Sequence, residues 1–552
     1  MKKRGGLKRL FNRFAAATVL SASLLTGTAS AQEAPALQPP VEIVGCPAFP
    51  NFKMPDGPMH RVPRDRTPDP ELRAQQTMMK TLGLTTSAAD GLGGGSTRAA
   101  MREFLIFYAP LYQGDSAKFT LDDADTEQLK KYAAEAQRNA QTHHISTASA
   151  AAFGLASHRT GVPMATLVKN KNHKFDNAIW LHMVKTYGAA YGMEFYAAHI
   201  AADADGKLAV DNPFIHRQIL ALKDHPRVSV LMTAEYVKNK DAIPSPQSSA
   251  LGLPDEALRA QQKDLMTLGF DIGKSADGIK GDMTRLSIAE FQLLYGGGVA
   301  TGTLSADETA SLSAHAKRAR TDGAAYNAPA LAAGSVRMAA DAHDGDFAYM
   351  MKLAAAESSF IHDIRATTSS ATGLFQFIEG TWGYMVLNYG DKHGLSDFKS
   401  QVEIYKDDLG REQTRIANPL VRAALLDLRA NPQVSALFGA DFQAENKAKE
   451  ACYVEGALSR TDLYLAHFLG ASDAVWFLTE MKKNPDQSAV ATFPEAAAYN
   501  VNVFYARQKG AALRERSLQE VYNIFARKFD ETPSAVASVV PQKQAPKQAR
   551  KH

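Results

Sequence analysis

The chain repeats itself, and this duplication constrains its fold more than any other feature. The segment "ELRAQQTMMKTLGL" at residues 71–84 returns as "ALRAQQKDLMTLGF" at residues 257–270. The copies stay in step through a Thr-Arg pair and a Glu-Phe pair, which follow at 97–98 and 103–104 in the first and at 284–285 and 290–291 in the second. Each copy predicts a small helical module in which a Leu-Gly stop and an Asp-Gly turn lead into a second apolar helix.

A larger region behind each module is also duplicated. The segment "AIWLHMVKTYGAAYGM" at 178–193 parallels "GTWGYMVLNYGDKHGL" at 380–395, and residues 212–240 parallel residues 418–446. Helical periodicity in both predicts a mainly α chain, built as module, large helical domain, module and large helical domain. Aligning Leu155 with Leu353 sets Arg159 against Glu357 and leaves the first copy without the loop after Glu357.

The N-terminus has the layout of a secretory signal peptide, with a basic start, a short apolar run and Ala-Ser-Ala at 29–31. Cleavage after Ala31 predicts an exported, periplasmic protein without a stable membrane span, and an uncleaved single-pass anchor is the alternative.

The two cysteines, Cys46 and Cys452, exclude a disulfide scaffold, but they could pair in an oxidising compartment or remain thiols. The net charge of +4 suits an anionic cell-wall surface, and no basic block with aromatics predicts nucleic acid.

One carboxylate stands out in the second large domain. Apolar residues at 347–355 predict a helix face that leads to Glu357, and a Ser/Thr/Ala-rich loop with Gly-Leu-Phe-Gln at 373–376 follows. A carboxyl group in a partly dry cleft is a competent general acid. A solvated glutamate at a helix end is the alternative.

These motifs resemble a known family. "AESSF" followed by "SSATGLFQF", and then "DLYLAHFLGASDAVWFL" at 462–478 and "RSLQEVYNIFARKF" at 516–529, are similar to the soluble lytic transglycosylase (SLT) family. The modules resemble the peptidoglycan-binding domain found beside many cell-wall enzymes; a structural spacer is their alternative role. The resemblance implies a lysozyme-like helical domain that cleaves the MurNAc-β-1,4-GlcNAc bond of peptidoglycan glycan strands and leaves 1,6-anhydro ends. It implies neither a cofactor nor a metal.

The resemblance also assigns site residues. Glu357 would act as general acid and then as base, while Ser358 would bind substrate, orient Glu357 or simply cap the helix. Many family members carry Ala-Tyr-Asn-Ala-Gly, whose Tyr supports the Glu, where this chain has Ala-His-Phe-Leu-Gly at 466–470. His467 would replace that Tyr or be an ordinary core histidine. The residues expected to contact substrate are Ser358, Gly373, Leu374, Gln376 and His467.

Two other functions remain open at this stage. Glu379, or Asp363, could be the second carboxylate of a lysozyme-type muramidase, although an acid before a helix also suits the helix dipole. A non-catalytic cell-wall scaffold is the other alternative. Residues Asp203–Gly206 and the pair His143 and His144 lack the further ligands of a metal site, so no metal is predicted.

The predicted domains follow from these boundaries. They are a signal peptide at 1–31, a linker at 32–66, a degenerate module at 67–140, an inactive SLT-like domain at 143–242, a second module at 250–320, the catalytic domain at 330–530 and a disordered basic tail at 531–552.

Overall fold

The computed structural model describes residue 49 and residues 67–85, 88–108, 120–203, 206–243, 252–296, 299–366, 369–407, 410, 412–507 and 513–530. The predicted signal peptide, the basic tail and all of the predicted linker except Phe49 therefore lie outside the described residues, as does Cys46. Cys452 is disulfide-bonded. Among the described residues, every helix is too short or too polar to cross a bilayer.

The protein is mainly helical, as predicted. Through the second module the described helices are α1 (Pro70–Thr81), α2 (Gly95–Tyr108), α3 (Asp123–His143), α4 (Thr147–Thr160), α5 (Met164–Lys169), α6 (Asn177–Tyr187), α7 (Glu194–Ala198), α8 (Pro213–Ala221), α9 (Pro226–Lys238), α10 (Glu256–Leu268), α11 (Asp282–Phe291) and α12 (Ala306–Tyr326). The later described helices are α13 (Ala330–Ala342), α14 (Phe347–Ser358), α15 (Glu379–Tyr389), α16 (Pro419–Asp427), α17 (Pro432–Ala451), α18 (Arg460–Leu469), α19 (Ala471–Lys483), α20 (Ala489–Thr492), α21 (Pro494–Tyr499), α22 (Val501–Phe504) and α23 (Leu518–Phe529).

The strands of the described residues form three antiparallel hairpins. These pair β1 (Ala201–Ala202) with β2 (Leu208–Ala209), β3 (Val402–Lys406) with β4 (Glu412–Ile416), and β5 (Tyr505–Ala506) with β6 (Arg514–Glu515). The first two hairpins occupy the same position in the two copies of the large repeat.

The chain divides into two compact units. Unit 1 contains Phe49, Lys317–Ile378 and the described residues from Arg429 onward. Unit 2 contains the described residues from Thr67 to Ala316 together with Glu379–Leu428. Residues 379–428, which the sequence counts within a continuous catalytic domain, thus group with the modules and the first large domain.

The two modules are built around the same hydrogen-bond network. In the first, the Gln76 side-chain amide donates to the Asp90 carboxylate at 3.1 Å and accepts from the Gly91 N–H at 2.8 Å. In the second, Gln262 makes the same bonds with Asp277 and Gly278, at 3.1 and 2.7 Å. A buried amide that ties the first helix to the Asp-Gly turn explains why this part of the repeat is retained, because a buried polar group needs partners.

The larger repeats also share their core. The Trp180 and Trp382 side chains are fully buried, and each donates its indole N–H to a backbone carbonyl, of Ile219 at 2.6 Å and of Leu425 at 2.8 Å. In unit 2 the copies pair reciprocally. The Asn212 side chain donates to the Gly394 carbonyl at 2.8 Å, and the Asn418 side chain donates to the Gly192 carbonyl at 2.7 Å.

The structure corrects the alignment of Arg159 with Glu357. In each copy, a long helix is followed by a left-handed residue: His144 follows α3, and Asn327 follows α12. The next helix, α4 or α13, begins three residues after that residue. By this order α4, which carries Arg159, corresponds to α13, whereas Glu357 lies one helix further on, in α14. The sequence alignment was wrong because short Ala-rich helices match one another in several registers.

The element that takes the place of α14 in the first copy is the short helix α5, "MATLVK", which has no acidic residue. Residues 170–176 then connect α5 to α6, whereas the longer segment 359–378 connects α14 to α15. The first copy therefore lacks both a counterpart of Glu357 and the loop that contains Gly-Leu-Phe-Gln.

Candidate active site

Helix α14 holds Glu357 in its last turn. The Asp346 carboxylate caps the start of the helix, where it accepts from the Tyr349 N–H and pairs with Arg460. The helix ends at Ser358, and Ser359 and Phe360 follow with φ of 51° and 64°. Two consecutive non-glycine residues in the left-handed region are strained, and such strain is concentrated at functional sites.

Two side chains from α18 approach the same oxygen of Glu357. The Tyr464 hydroxyl lies 3.5 Å and the His467 Nε2 lies 3.6 Å from Glu357 Oε1. Tyr464 and His467 are three residues apart, so they share one face of the helix. The Glu357 side chain remains 22% exposed, which leaves it accessible to a ligand. Contacts of this length commonly tighten when substrate binds.

Helix α23 contacts both α18 and α14 next to this arrangement. The Phe529 ring stacks on the Tyr464 ring with centroids 4.1 Å apart, and the Phe529 carbonyl accepts from Lys352 Nζ of α14 at 2.8 Å. Burial, reinforced by the negative charge of Glu357, raises the pKa of Tyr464 well above its ordinary value, so its hydroxyl keeps its proton and acts as a donor. Burial lowers the pKa of Lys528, and the Glu357 carboxylate acts in the opposite direction.

A narrow crevice adjoins this site through His467, and we call it the His467 crevice. Its walls come mainly from α14, α17, α18 and the Gly-Leu-Phe-Gln loop. It is lined by Tyr349, Leu353, Phe375, Phe377, Gly439, Phe442, Gln443, Asn446, Leu463 and His467. The lining is largely apolar with two amide side chains, and at about 10 Å³ the crevice has room for little more than one water molecule.

The Gly-Leu-Phe-Gln loop is a tight turn closed on itself. A Cβ at Gly373, which has a φ of +89°, would lie only 1.9 Å from the Arg429 carbonyl oxygen. Gln376, with a φ of 50°, donates its side-chain amide to the Gly373 carbonyl at 2.9 Å. The Arg429 guanidinium donates to the carbonyls of Ser370 and Phe377 and so holds the two ends of the turn together.

The predicted substrate residues therefore take different positions. Ser358 is fully buried, and its hydroxyl donates to the Ala354 carbonyl at 2.9 Å, which favours the structural alternative over a sugar contact. Leu374 is also fully buried, while Gly373 and Gln376 shape the turn. Among the five predicted contact residues, His467 is the one with a side chain next to Glu357.

Sequence reasoning missed Tyr464 and Lys528. The signal for Tyr464 was present, because it lies one helical turn before His467 in the segment that departs from the family pattern. Lys528 offered no comparable signal, since its approach to Glu357 depends on how α23 packs.

The candidates for a second carboxylate have other surroundings. Both carboxylate oxygens of Glu379 bind the Arg422 guanidinium in unit 2, in the first turn of α15. Asp363 is exposed in unit 1. The Asp203 carboxylate accepts from the Lys207 N–H, as in an ordinary turn.

No protein-family model matches the chain.

Proposed function

We propose that this protein is an exported peptidoglycan lytic transglycosylase that cleaves MurNAc-β-1,4-GlcNAc bonds with Glu357 and leaves 1,6-anhydro-MurNAc ends. One observation carries the proposal. A partly buried carboxyl group at a strained helix end has a protonated tyrosine hydroxyl and an imidazole nitrogen next to the same oxygen, Oε1. Active sites concentrate this combination of burial, strain and convergent polar groups.

The division between the two carboxylate oxygens suggests their roles. Tyr464 and His467 would hold Oε1, and Oε2 would transfer the proton to the glycosidic oxygen as the bond breaks. Glu357, now ionised, would remove the proton from the C6 hydroxyl of the muramic acid, which attacks the anomeric carbon and closes the anhydro ring. A nucleophile within the substrate has an entropic advantage over water, so this reaction needs no second carboxylate to activate a water molecule.

Two neighbouring groups bear on the proposed steps. The Glu357 carboxylate opposes the lowering of the Lys528 pKa by burial, so Lys528 would be a positive charge in the surroundings of Glu357. Tyr464 remains a donor in both forms of Glu357, because its own pKa lies far above neutral.

The muramidase alternative requires a second carboxylate to activate water. Glu379 is a poor candidate because the Arg422 guanidinium binds both of its carboxylate oxygens, which leaves neither free to accept a proton from water. A non-catalytic scaffold would not need strained backbone directly after a partly exposed glutamate.

Digestion of purified sacculi by the mature protein tests the proposal. Mass spectrometry of the released muropeptides should find anhydro ends, which are lighter than reducing ends by one water. Reducing ends would instead identify a hydrolase, and tight pelleting without release would identify a scaffold.

Substitutions at the site sharpen this test. Glu357→Gln should lower release on the order of a hundredfold or more, because it removes the general acid. Tyr464→Phe keeps the stacked ring and removes the hydroxyl, so it should lower release by about tenfold. Tyr499→Phe, at an exposed tyrosine of unit 1, is the control and should retain activity. Full activity of the Glu357 variant would refute the assignment.

A further inference from the structure

Helix α17 presents one face to the His467 crevice, and that face contains two amide side chains. Gly439, Phe442, Gln443 and Asn446 line the crevice, and their helical spacing places them on the same side of α17. Gln443 and Asn446 are three residues apart, so their side chains are neighbours on the helix surface. The helix therefore directs two polar groups into a crevice whose other walls are mostly apolar.

Aromatic rings close the crevice around these amides. A Cβ at Gly439 would lie only 2.9 Å from a ring carbon of Phe375, so the glycine lets that ring pack directly against α17. The Phe442 ring lies edge-on to the rings of Phe377 and His467, with centroids 6.0 and 6.3 Å away. At about 10 Å³, the enclosed space has room for one water molecule and for no larger ligand.

Gln443 provides a hydrogen-bond acceptor in this crevice. Its side chain is only 9% exposed, and within the described part of the chain its buried Oε1 atom makes no hydrogen bond. A buried amide oxygen without a donor costs free energy, and such atoms in folded proteins are nearly always satisfied by protein groups or by ordered water. Water is the donor that fits, because the space admits nothing larger.

His467 joins this crevice to Glu357. Its Nε2 atom lies 3.6 Å from Glu357 Oε1, and the side chain is 16% exposed. A neutral imidazole carries its hydrogen on one nitrogen and accepts at the other, and the partner of one nitrogen decides which tautomer is present. An Nε2–H group can donate to the carboxylate, and this tautomer leaves Nδ1 as an acceptor that needs a donor.

We propose that the His467 crevice holds one ordered water molecule that links Gln443 to His467, so that Gln443 is a positioning residue for the Glu357 site. The water donates one hydrogen to Gln443 Oε1 and the other to His467 Nδ1, and it accepts from the Asn446 side-chain amide. Three hydrogen bonds are typical of a buried water.

This link determines what His467 offers to Glu357. With Nδ1 accepting from the water, Nε2 carries the ring hydrogen and donates to Glu357 Oε1. In the other tautomer, Nε2 would turn a lone pair toward the carboxylate and repel it. The role of Gln443 in the reaction rests on the proposed function, whereas the water and the tautomer do not.

A crystal structure of the full chain tests the water site directly. Electron density should show one water within about 3 Å of Gln443 Oε1. An Oε1 atom without a water, or with a protein donor in its place, would overturn the proposal.

Nuclear magnetic resonance of the histidine rings tests the link in solution. The two neutral tautomers give different ¹⁵N shifts, and a His467→Asn variant identifies the His467 signals. At about pH 8, where a histidine ring is ordinarily neutral, the wild type should show the Nε2–H tautomer. Gln443→Met keeps the length of the side chain and removes the acceptor, so it should lower the ratio of Nε2–H to Nδ1–H about three- to tenfold.

The same variant tests the effect on the reaction. Gln443→Met should lower the maximal rate of muropeptide release from sacculi about three- to tenfold, with little change in the sacculus concentration that gives half of that rate. Thermal unfolding should show no loss of stability, because Gln443 Oε1 has no protein partner to lose. Gln487→Met, also in unit 1 and outside the crevice, is the matched control and should change neither the tautomer ratio nor the rate.

The outcomes separate this proposal from the proposed function. An Nδ1–H tautomer in the wild type, or an unchanged ratio in Gln443→Met, would overturn the link, and a changed ratio without a slower release would overturn the positioning role. The density and the tautomer are observed without turnover. An absence of anhydro ends would refute the proposed function and leave both of these measurements valid.

Discussion

Glu450, near the end of α17, should make unit 1 less stable as the pH rises. Its side chain is fully buried, and neither of its carboxyl oxygens has a hydrogen-bond partner in the described part of the chain. This burial, reinforced by the negative charge of Asp462, raises the pKa of Glu450 from 4.5 to about 9. Glu450 therefore stays protonated in the folded protein near neutral pH.

The size of the effect follows from proton linkage. Between about pH 4.5 and about pH 9 the unfolded chain has lost the Glu450 proton while the folded chain retains it. The folded state then binds more protons than the unfolded state, so stability falls by about 1.4 kcal/mol for each pH unit. At about pH 7 the accumulated loss is about 3 kcal/mol, and it continues to grow up to about pH 9.

Glu450→Gln should remove this loss, because an amide does not ionise. We expect the variant to be more stable than the wild type by about 3 kcal/mol near pH 7 and to be nearly equal to it near pH 4.5. Some backbone amides of α17 exchange with solvent only when unit 1 unfolds. Near pH 7 their hydrogen exchange should be roughly a hundredfold slower in the variant than in the wild type. Comparing both proteins at each pH cancels the intrinsic pH dependence of exchange.

Glu455→Gln is the control, because that carboxylate is exposed and paired with Lys482. It should leave the exchange of α17 nearly unchanged. The reasoning fails if Glu450→Gln gives no gain near pH 8, or if its gain is the same near pH 4.5 as near pH 8. Either result would mean that Glu450 reaches water or a hydrogen-bond partner in the folded protein.

Two further predictions concern the turn in unit 1 and the paired copies in unit 2. Gly373→Ala should lower the free energy of unfolding of unit 1 by on the order of 3 kcal/mol or more, measured by thermal unfolding, because its Cβ would overlap the Arg429 carbonyl oxygen. Asn212→Ala and Asn418→Ala each remove a helix cap and a bond to the other copy, so each should cost about 1–2 kcal/mol in urea unfolding. Clearly unequal losses would contradict the reciprocal pairing.

Much of the fold could be predicted because it depends on local chemistry. The Gln-to-turn network of each module and the Asn-Pro starts of α8, α16 and α17 are encoded within short segments. The predicted boundary at residue 330 does not reveal that residues 379–428 group with unit 2. That grouping depends on contacts such as Asn212 to Gly394, which join residues far apart in the sequence.

The candidate site was predictable only in part, for the same reason. Glu357 and His467 could be found because motif residues mark them. The role of Ser358 could not, because whether its hydroxyl points to solvent or to Ala354 depends on burial that the motif does not encode. Tyr464 depends on helix periodicity across a segment that departs from the family pattern.

The comparison between copies separates what the fold needs from what it does not. The first copy keeps its buried tryptophan and its reciprocal asparagine while a short link replaces segment 359–378. In the described part of the chain, Ser359, Phe360 and Gln376 are three of the six non-glycine residues with positive φ, and all three lie in that segment. Each such residue costs on the order of 1–3 kcal/mol. Because the first copy folds without this strained segment, the scaffold does not require the strain, and we propose that the segment serves to position Glu357 in the second copy.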